Sequence, residues 1–190
     1  MKKYLIITLL ILGVACENQD NKVDKEEEVV TVEDLKEKIQ VMDDSLAVLT
    51  TDFLDEKIEK IDRLVYHEAI NRNIDFYNHF PEHNYAPFAL EKASSMYMAI
   101  KVEEKAADWR DTILVNYPDY DRSFDILELQ KAYYEGYDSY DKEKVEHYIE
   151  KMLEHKNLSD DKREELEYRL ENIDLSFKEL IQKSNPDLKL

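Results

Sequence analysis

Histidine, carboxylate and serine are the side chains of this sequence that could bind metal or cleave bonds, so their spacing comes first. There are five histidines. His67 and Glu68 are followed by Ala69, Ile70 and Asn71, which breaks the H-E-x-x-H pattern of a zinc helix. His79 and His83 are four apart but straddle Pro81, which ends the helix that would put them on one face. His147 and His155 are spaced for one helical face, with no third ligand in view. Asp138, Asp141 and Glu143 lack the alternating D-x-D-x-D-G register of a calcium loop. Ser94, Ser95 and Ser139 have no recognisable base and orienting partner. The reading is of a protein with no metal, no cofactor and no catalytic centre, and not an enzyme.

The composition excludes several other chemistries. The 190 residues include only two glycines, Gly13 and Gly136. A phosphate-cradling loop, a dinucleotide-binding turn and a nucleophile elbow each need several. Four prolines and so little glycine argue against a turn-rich β-sandwich. The net charge is −18, with no basic stripe, so nucleic acid is not an expected partner. Thirteen tyrosines stand out. Tyr133, Tyr134, Tyr137 and Tyr140 gather at one turn, and Tyr117 and Tyr120 at the turn before. They read either as packing between helices with hydroxyls reaching water, or as an aromatic recognition surface.

The elements around these residues are helical. Thr31 and Asp34 form a capping box. Val32, Leu35, Ile39, Met42, Leu46, Leu49 and Phe53 then follow at alternating steps of three and four, a heptad seam over residues 32–53. The seam suits the first helix of a bundle, or a coiled coil between two chains. A second helix is expected over 55–79, with Ile58, Ile61, Val65, Ala69, Phe76 and Phe80 marking its buried face. Further helices are expected over 86–100, 103–116, 123–136, 141–156 and 159–182. A second capping box, at Ser176 and Glu179, allows a break within the last.

The first sixteen residues, MKKYLIITLLILGVAC, have a positive start, a short apolar run and small residues before Cys16. The run falls short of the roughly 20 residues needed to cross a bilayer. This is a secretory signal layout. It also resembles a bacterial lipoprotein signal, with Gly13-Val14-Ala15-Cys16 as the lipobox. That resemblance implies cleavage after residue 15 and lipidation of Cys16, the single cysteine. The domain reading is therefore a signal peptide at 1–15, a lipidated cysteine with a disordered acidic tether at 16–31, a helical domain at 32–183 and a tail at 184–190. The implied location is the bacterial envelope, at the outer membrane facing the periplasm, with membrane contact through the Cys16 lipid alone.

An internal repeat is also visible. Phe80-Pro81-Glu82 and Tyr117-Pro118-Asp119 recur 37 residues apart, each at a helix end. With Pro118 as the closing proline, Leu90, Ala93, Ser94, Tyr97, Ala106, Ile113 and Pro118 occupy the signature positions of a tetratricopeptide repeat, a helical hairpin of about 34 residues. Ala93 is smaller than the family's usual leucine, and Arg110 replaces one aromatic, beside Trp109. The preceding unit keeps Ala69, Phe76 and Pro81 but has Glu56, Lys57 and Lys60 where small or apolar residues belong. The following unit keeps Leu127, Tyr134, Val145, Ile149 and Met152 across a turn about two residues longer, with Asn157-Leu158 where the proline would be.

The chain thus resembles a small tetratricopeptide-repeat lipoprotein and is distantly similar to the lipoprotein subunit of the outer-membrane β-barrel assembly machine. The resemblance implies an all-α fold, a short helical-hairpin solenoid of about seven helices. It also implies a non-catalytic protein-interaction scaffold, in outer-membrane assembly or envelope maintenance. Partner contacts in that family come from the first helix of each repeat. Carried over by position, they fall on Phe88, Glu91, Ser95, Met98 and Ala99, then Asp125, Glu128, Ala132 and Glu135. That face is acidic with apolar patches and suits another envelope protein or a basic peptide segment. The alternative is a dimeric coiled-coil spacer built on the 32–53 seam.

Overall fold

A computed structural model describes residues 29–136, 140–156 and 158–186. The expected signal peptide, Cys16, most of the tether, Tyr137, Asp138, Ser139, Asn157 and the last four residues lie outside them. Among the described residues the chain is all-α, with eight helices and no strand: α1 (Val32–Leu54), α2 (Arg63–His79), α3 (Ala86–Ala99), α4 (Glu103–Asn116), α5 (Ser123–Tyr134), α6 (Lys142–Leu153), α7 (Asp160–Glu171) and α8 (Phe177–Ser184). No described helix is long and apolar enough to cross a membrane.

Polar side chains set many of the boundaries. Thr31 and Ser176 form the two expected capping boxes, and Asp62, Asp141 and Ser159 also accept from first-turn N–H groups. The Ser176 box separates α7 from α8. The expected second helix starts late, because α1 runs to Leu54 and Asp62 caps α2 only before Arg63. Ile58 and Ile61 therefore lie in the connection rather than on a helical face.

Two connections share one hydrogen-bond pattern, closing α1 and α3. Glu56 N–H donates to the Phe53 carbonyl at 3.1 Å and Lys57 N–H to that of Asp52 at 2.8 Å. Lys101 and Val102 repeat this with the Met98 and Tyr97 carbonyls at 3.0 and 2.9 Å. Both are Schellman motifs, whose pivot takes a positive φ. Glycine is the usual pivot, but Glu56 and Lys101 stand there, each at φ 59°.

A second shared pattern joins α2 to α3 and α4 to α5, and it coincides with the sequence repeat. Phe80 and Tyr117 cap their helices with nearly equal dihedrals, φ −133° and ψ 58° against φ −134° and ψ 62°. His83 N–H donates to the Phe80 carbonyl at 3.1 Å, and Ala86 N–H to that of His83 at 2.9 Å. At the same offsets Tyr120 donates to Tyr117 at 3.0 Å and Ser123 to Tyr120 at 2.8 Å. Pro81 and Pro118 each follow a residue in extended φ, as proline requires.

Among the described helices, backbone contacts join only consecutive elements, from α1·α2 to α6·α7. The interior of the described residues is accordingly four small clusters in series. Leu35, Ile39, Phe76, Ala86 and Ala89 form the first. Ile70, Ala93 and Ile100 form the second, and Leu90, Ile113 and Ile126 the third. Leu127, Val145, Tyr148, Ile149, Met152 and Leu166 form the last. Each large aliphatic buried this way stabilises by about 1.5–3 kcal/mol. Ala93 and Ala106 are wholly buried, and the Ser94 hydroxyl donates to the Ala106 carbonyl at 3.1 Å. These small side chains let α3 and α4 approach closely, while Tyr97 is half-buried and Pro118 exposed.

Candidate functional site: the row of odd-numbered helices

Side chains link each odd-numbered helix to the next odd one. Lys92 on α3 pairs with Asp43 on α1. Arg122, just before α5, reaches Glu91 on α3 at 2.8 Å. Lys162 on α7 reaches Glu128 on α5 at 2.8 Å, and Arg169 pairs with Glu135 at the end of α5. The helices α1, α3, α5 and α7 therefore form one row, held across by these ion pairs.

A shallow groove of about 370 Å³ opens on this row along α3. Phe88, Ser95 and Ala99 lie on its surface, spaced for one helical face, and Tyr66 and Met96 line its side. Phe88 is 38% exposed; it meets the Tyr85 ring edge-on at 5.3 Å, and the Lys92 ammonium sits 5.6 Å from its centre. The groove is thus bordered by a propped aromatic ring and small neighbours, together with the charged Glu91, Lys92 and Arg122.

The carboxylates expected along this face sit differently. Glu91 is only 9% exposed, and its two oxygens take Arg122 and the Tyr120 hydroxyl, the latter at 2.7 Å. Burial, then the hydrogen bond to Glu91, pushes the Tyr120 phenol well above its usual range. Glu135 is 8% exposed and also takes Lys131 at 2.6 Å. Glu128 is half-buried against Lys162, and Asp125 lies 3.5 Å from Arg122. Met98 is half-buried, and Ala132 is exposed. Of the carried-over residues, the surface thus keeps Phe88, Ser95, Ala99, Asp125 and Ala132. Glu91 and Glu135 are structural, because a carboxylate removed from water needs cationic partners.

The polar interior is what sequence reasoning missed. Arg110 is 5% exposed; burial lowers its pKa, and Glu91 opposes that shift. Arg169 donates to Glu135, to the Tyr140 hydroxyl at 2.9 Å and to the carbonyls of Asn172 and Leu175 at 2.8 and 3.0 Å. Asp111 accepts from the Tyr148 hydroxyl at 2.5 Å and from Gln130 at 2.6 Å. One signal was available, since Arg110 stands where the resembled family has an aromatic. The tyrosine hydroxyls do not simply reach water: those of Tyr117, Tyr120, Tyr140 and Tyr148 are bonded within the protein.

Among the described residues, no group of three or more His, Cys, Asp or Glu is placed to hold a metal ion. His79 bonds its own helix, through the Asp75 carbonyl at 2.9 Å, while His83 accepts from Tyr85 N–H at 3.0 Å. His147 and His155 rest on different rings, Tyr148 and Phe124. In comparisons with known proteins, no family model, no curated protein and no solved structure matches the chain.

Proposed function

We propose that this protein is a non-catalytic scaffold that binds another protein along the α1, α3, α5 and α7 row, tethered to a bacterial envelope membrane through a lipid on Cys16. The observation that carries the reading is the pair of matching turns 37 residues apart, at Phe80 and Tyr117. Repeated turns set successive hairpins at a constant offset, and an array of hairpins offers an extended groove more readily than a deep cavity. A tetratricopeptide-like solenoid, whose unit of about 34 residues is three shorter than this offset, is the reading supported by the small residues between α3 and α4. The lipid anchor and the outer-membrane, periplasm-facing location rest on the signal-like sequence alone.

The partner contact centres on Phe88, Ser95 and Ala99. Because Glu91, Glu128 and Glu135 are already paired, recognition here depends more on an apolar side chain entering beside Phe88 than on a basic one. A photocrosslinking residue at Ala99 in the full chain, used in intact envelopes, tests this against the same residue at exposed Lys105. One dominant adduct from Ala99, lost with Phe88→Arg, supports the proposal. Identical adducts from both positions overturn it. The spacer reading is less favoured, because Leu35 and Ile39 of the heptad seam are buried against Phe76, Ala86 and Ala89 of the same chain.

A further inference from the structure

An open cleft of about 1040 Å³ lies between the two matching turns, and it shares no lining residue with the α3 groove. Buried Pro87 and the half-buried rings of Tyr77, Tyr117 and Tyr120 form its floor. Its exposed rim carries Glu82, Asp119 and Asp121. Among the described residues, no lysine or arginine lines this cleft, and none of the three carboxylates enters an ion pair. Arg122, next in sequence to Asp121, turns instead to Glu91 at 2.8 Å and Asp125 at 3.5 Å.

The cleft is also poor in hydrogen-bond donors. Pro81, Pro87 and Pro118 line it without a backbone N–H. The Tyr117 and Tyr120 hydroxyls give their protons to the Pro81 carbonyl at 2.6 Å and to Glu91 at 2.7 Å. The Asn116 amide donates to the Tyr77 hydroxyl at 3.2 Å. His83 accepts from Tyr85 N–H through Nδ1 at 3.0 Å, a bond that the neutral imidazole makes. An anion entering here meets carboxylates and few donors, whereas a cation meets acceptors. Among the described residues, no three of His, Cys, Asp or Glu are placed to hold a metal ion, so the rim carboxylates do not converge on one point. They suit several cations along one chain rather than a single ion.

We infer that this cleft binds a lysine- and arginine-rich protein segment, whose cations face Glu82, Asp119 and Asp121 while their aliphatic stems lie on the tyrosine rings. Charge complementarity selects this occupant, because the rim is acidic with no lysine or arginine to offset it. Nucleic acid and an anionic bilayer meet like charge here. Residues 17–28 of the chain itself carry more carboxylates than cations and do not supply the segment. The site goes beyond the α3 groove, where Glu91 is spent on Arg122 and Tyr120. At the turns the carboxylates are left for a partner.

The test uses the full chain and two fluorescein-labelled peptides, one rich in lysine and arginine and one with glutamate at the same positions. Anisotropy is read at about 0.15 M salt, where charges more than roughly 8 Å apart are largely screened. The basic peptide is expected to bind and the acidic one not. Glu82→Lys combined with Asp119→Lys is expected to weaken binding by about tenfold or more, with unchanged circular dichroism. Asn84→Lys, which adds a cation at the exposed rim, should act in the same direction. Glu164→Lys combined with Glu167→Lys alters the net charge equally on the exposed side of α7 and should weaken binding by less than about threefold. Phe88→Ser should leave this binding intact, which separates failure here from failure at the α3 groove. The inference is overturned if the basic peptide does not bind, if the Glu82 and Asp119 variant binds it as well as the parent, or if the α7 variant weakens it as much.

Discussion

The Tyr117 hydroxyl donates to the Pro81 carbonyl oxygen at 2.6 Å, so the aromatic that closes one helical hairpin holds the proline that closes the hairpin before it. The two halves of the 37-residue repeat are thereby joined directly. Asn116 strengthens the junction by donating to the Tyr77 hydroxyl at 3.2 Å. Tyr117→Phe keeps the ring and removes this bond. Urea unfolding should show a loss of about 0.5–1.5 kcal/mol, the usual worth of one such bond.

The same tyrosine sets an alkaline limit. Burial, then the neighbouring Tyr77 and Glu82, pushes the Tyr117 phenol up to about 12 from its ordinary 10.0. A raised folded pKa means the fold prefers the protonated phenol. That stabilising contribution is fully present below about pH 10 and is lost as pH climbs toward 12. Tyr120 and Tyr148 shift the same way, chiefly through burial. Absorbance titration at 295 nm should therefore show a group of tyrosines that ionise late and together with loss of helical circular dichroism. In Tyr117→Phe the late step should shrink.

Glu56 and Lys101 occupy left-handed pivots that glycine adopts without strain. Glu56→Gly and Lys101→Gly should each leave stability unchanged or raise it by up to about 1 kcal/mol, whereas glycine in a helix interior costs about that much. Asp108→Gly, at an exposed position inside α4, supplies the comparison. Thermal melts of the three variants check this, and a loss at either pivot would contradict the Schellman geometry.

Arg169 should be the most sensitive charged position. Arg169→Met removes one of the two cationic partners of buried Glu135, leaving Lys131, and takes a donor from three further oxygens. Breaking a buried pair outright costs about 3–5 kcal/mol, which sets the upper end of the expected loss. Because backbone contacts run only between neighbouring helices, hydrogen exchange should quicken in α6, α7 and α8 and stay slow in α2 and α3. Uniform acceleration would show that the chain responds as one unit.

Oligomeric state can be read from α1. Leu35 and Ile39 are covered within the chain, but Phe53 is 45% exposed and Leu54 more so. Sedimentation equilibrium on the full chain in detergent should give a monomer, and Phe53→Asp should leave that mass unchanged. A dimer dissolved by Phe53→Asp would restore the coiled-coil spacer.

Much of the helical pattern is legible in the sequence because local rules govern it. The two capping boxes, the prolines after Phe80 and Tyr117, and the small trio of Ala93, Ser94 and Ala106 each act through near neighbours. The start of α2 escapes such a reading because Ile58 and Ile61 mimic helical spacing, while the boundary is set by Asp62 and the turn at Glu56. The surface of the odd-helix row is harder to foresee. Glu91 and Glu135 look like solvent-facing carboxylates until Arg122 and Arg169, 31 and 34 residues away, are brought onto them. Charge pairing across such separations leaves no periodic trace in the chain.

A protein whose hydrophobic interior is parcelled, across its described residues, into four successive clusters has no single nucleus whose loss dissolves the rest. Heat should peel it from one terminus inward, so the enthalpy measured by calorimetry would exceed the van't Hoff value from the same transition. Pulled from its two ends, it would lengthen in several small steps, yielding like a spring under load before the last hairpin lets go.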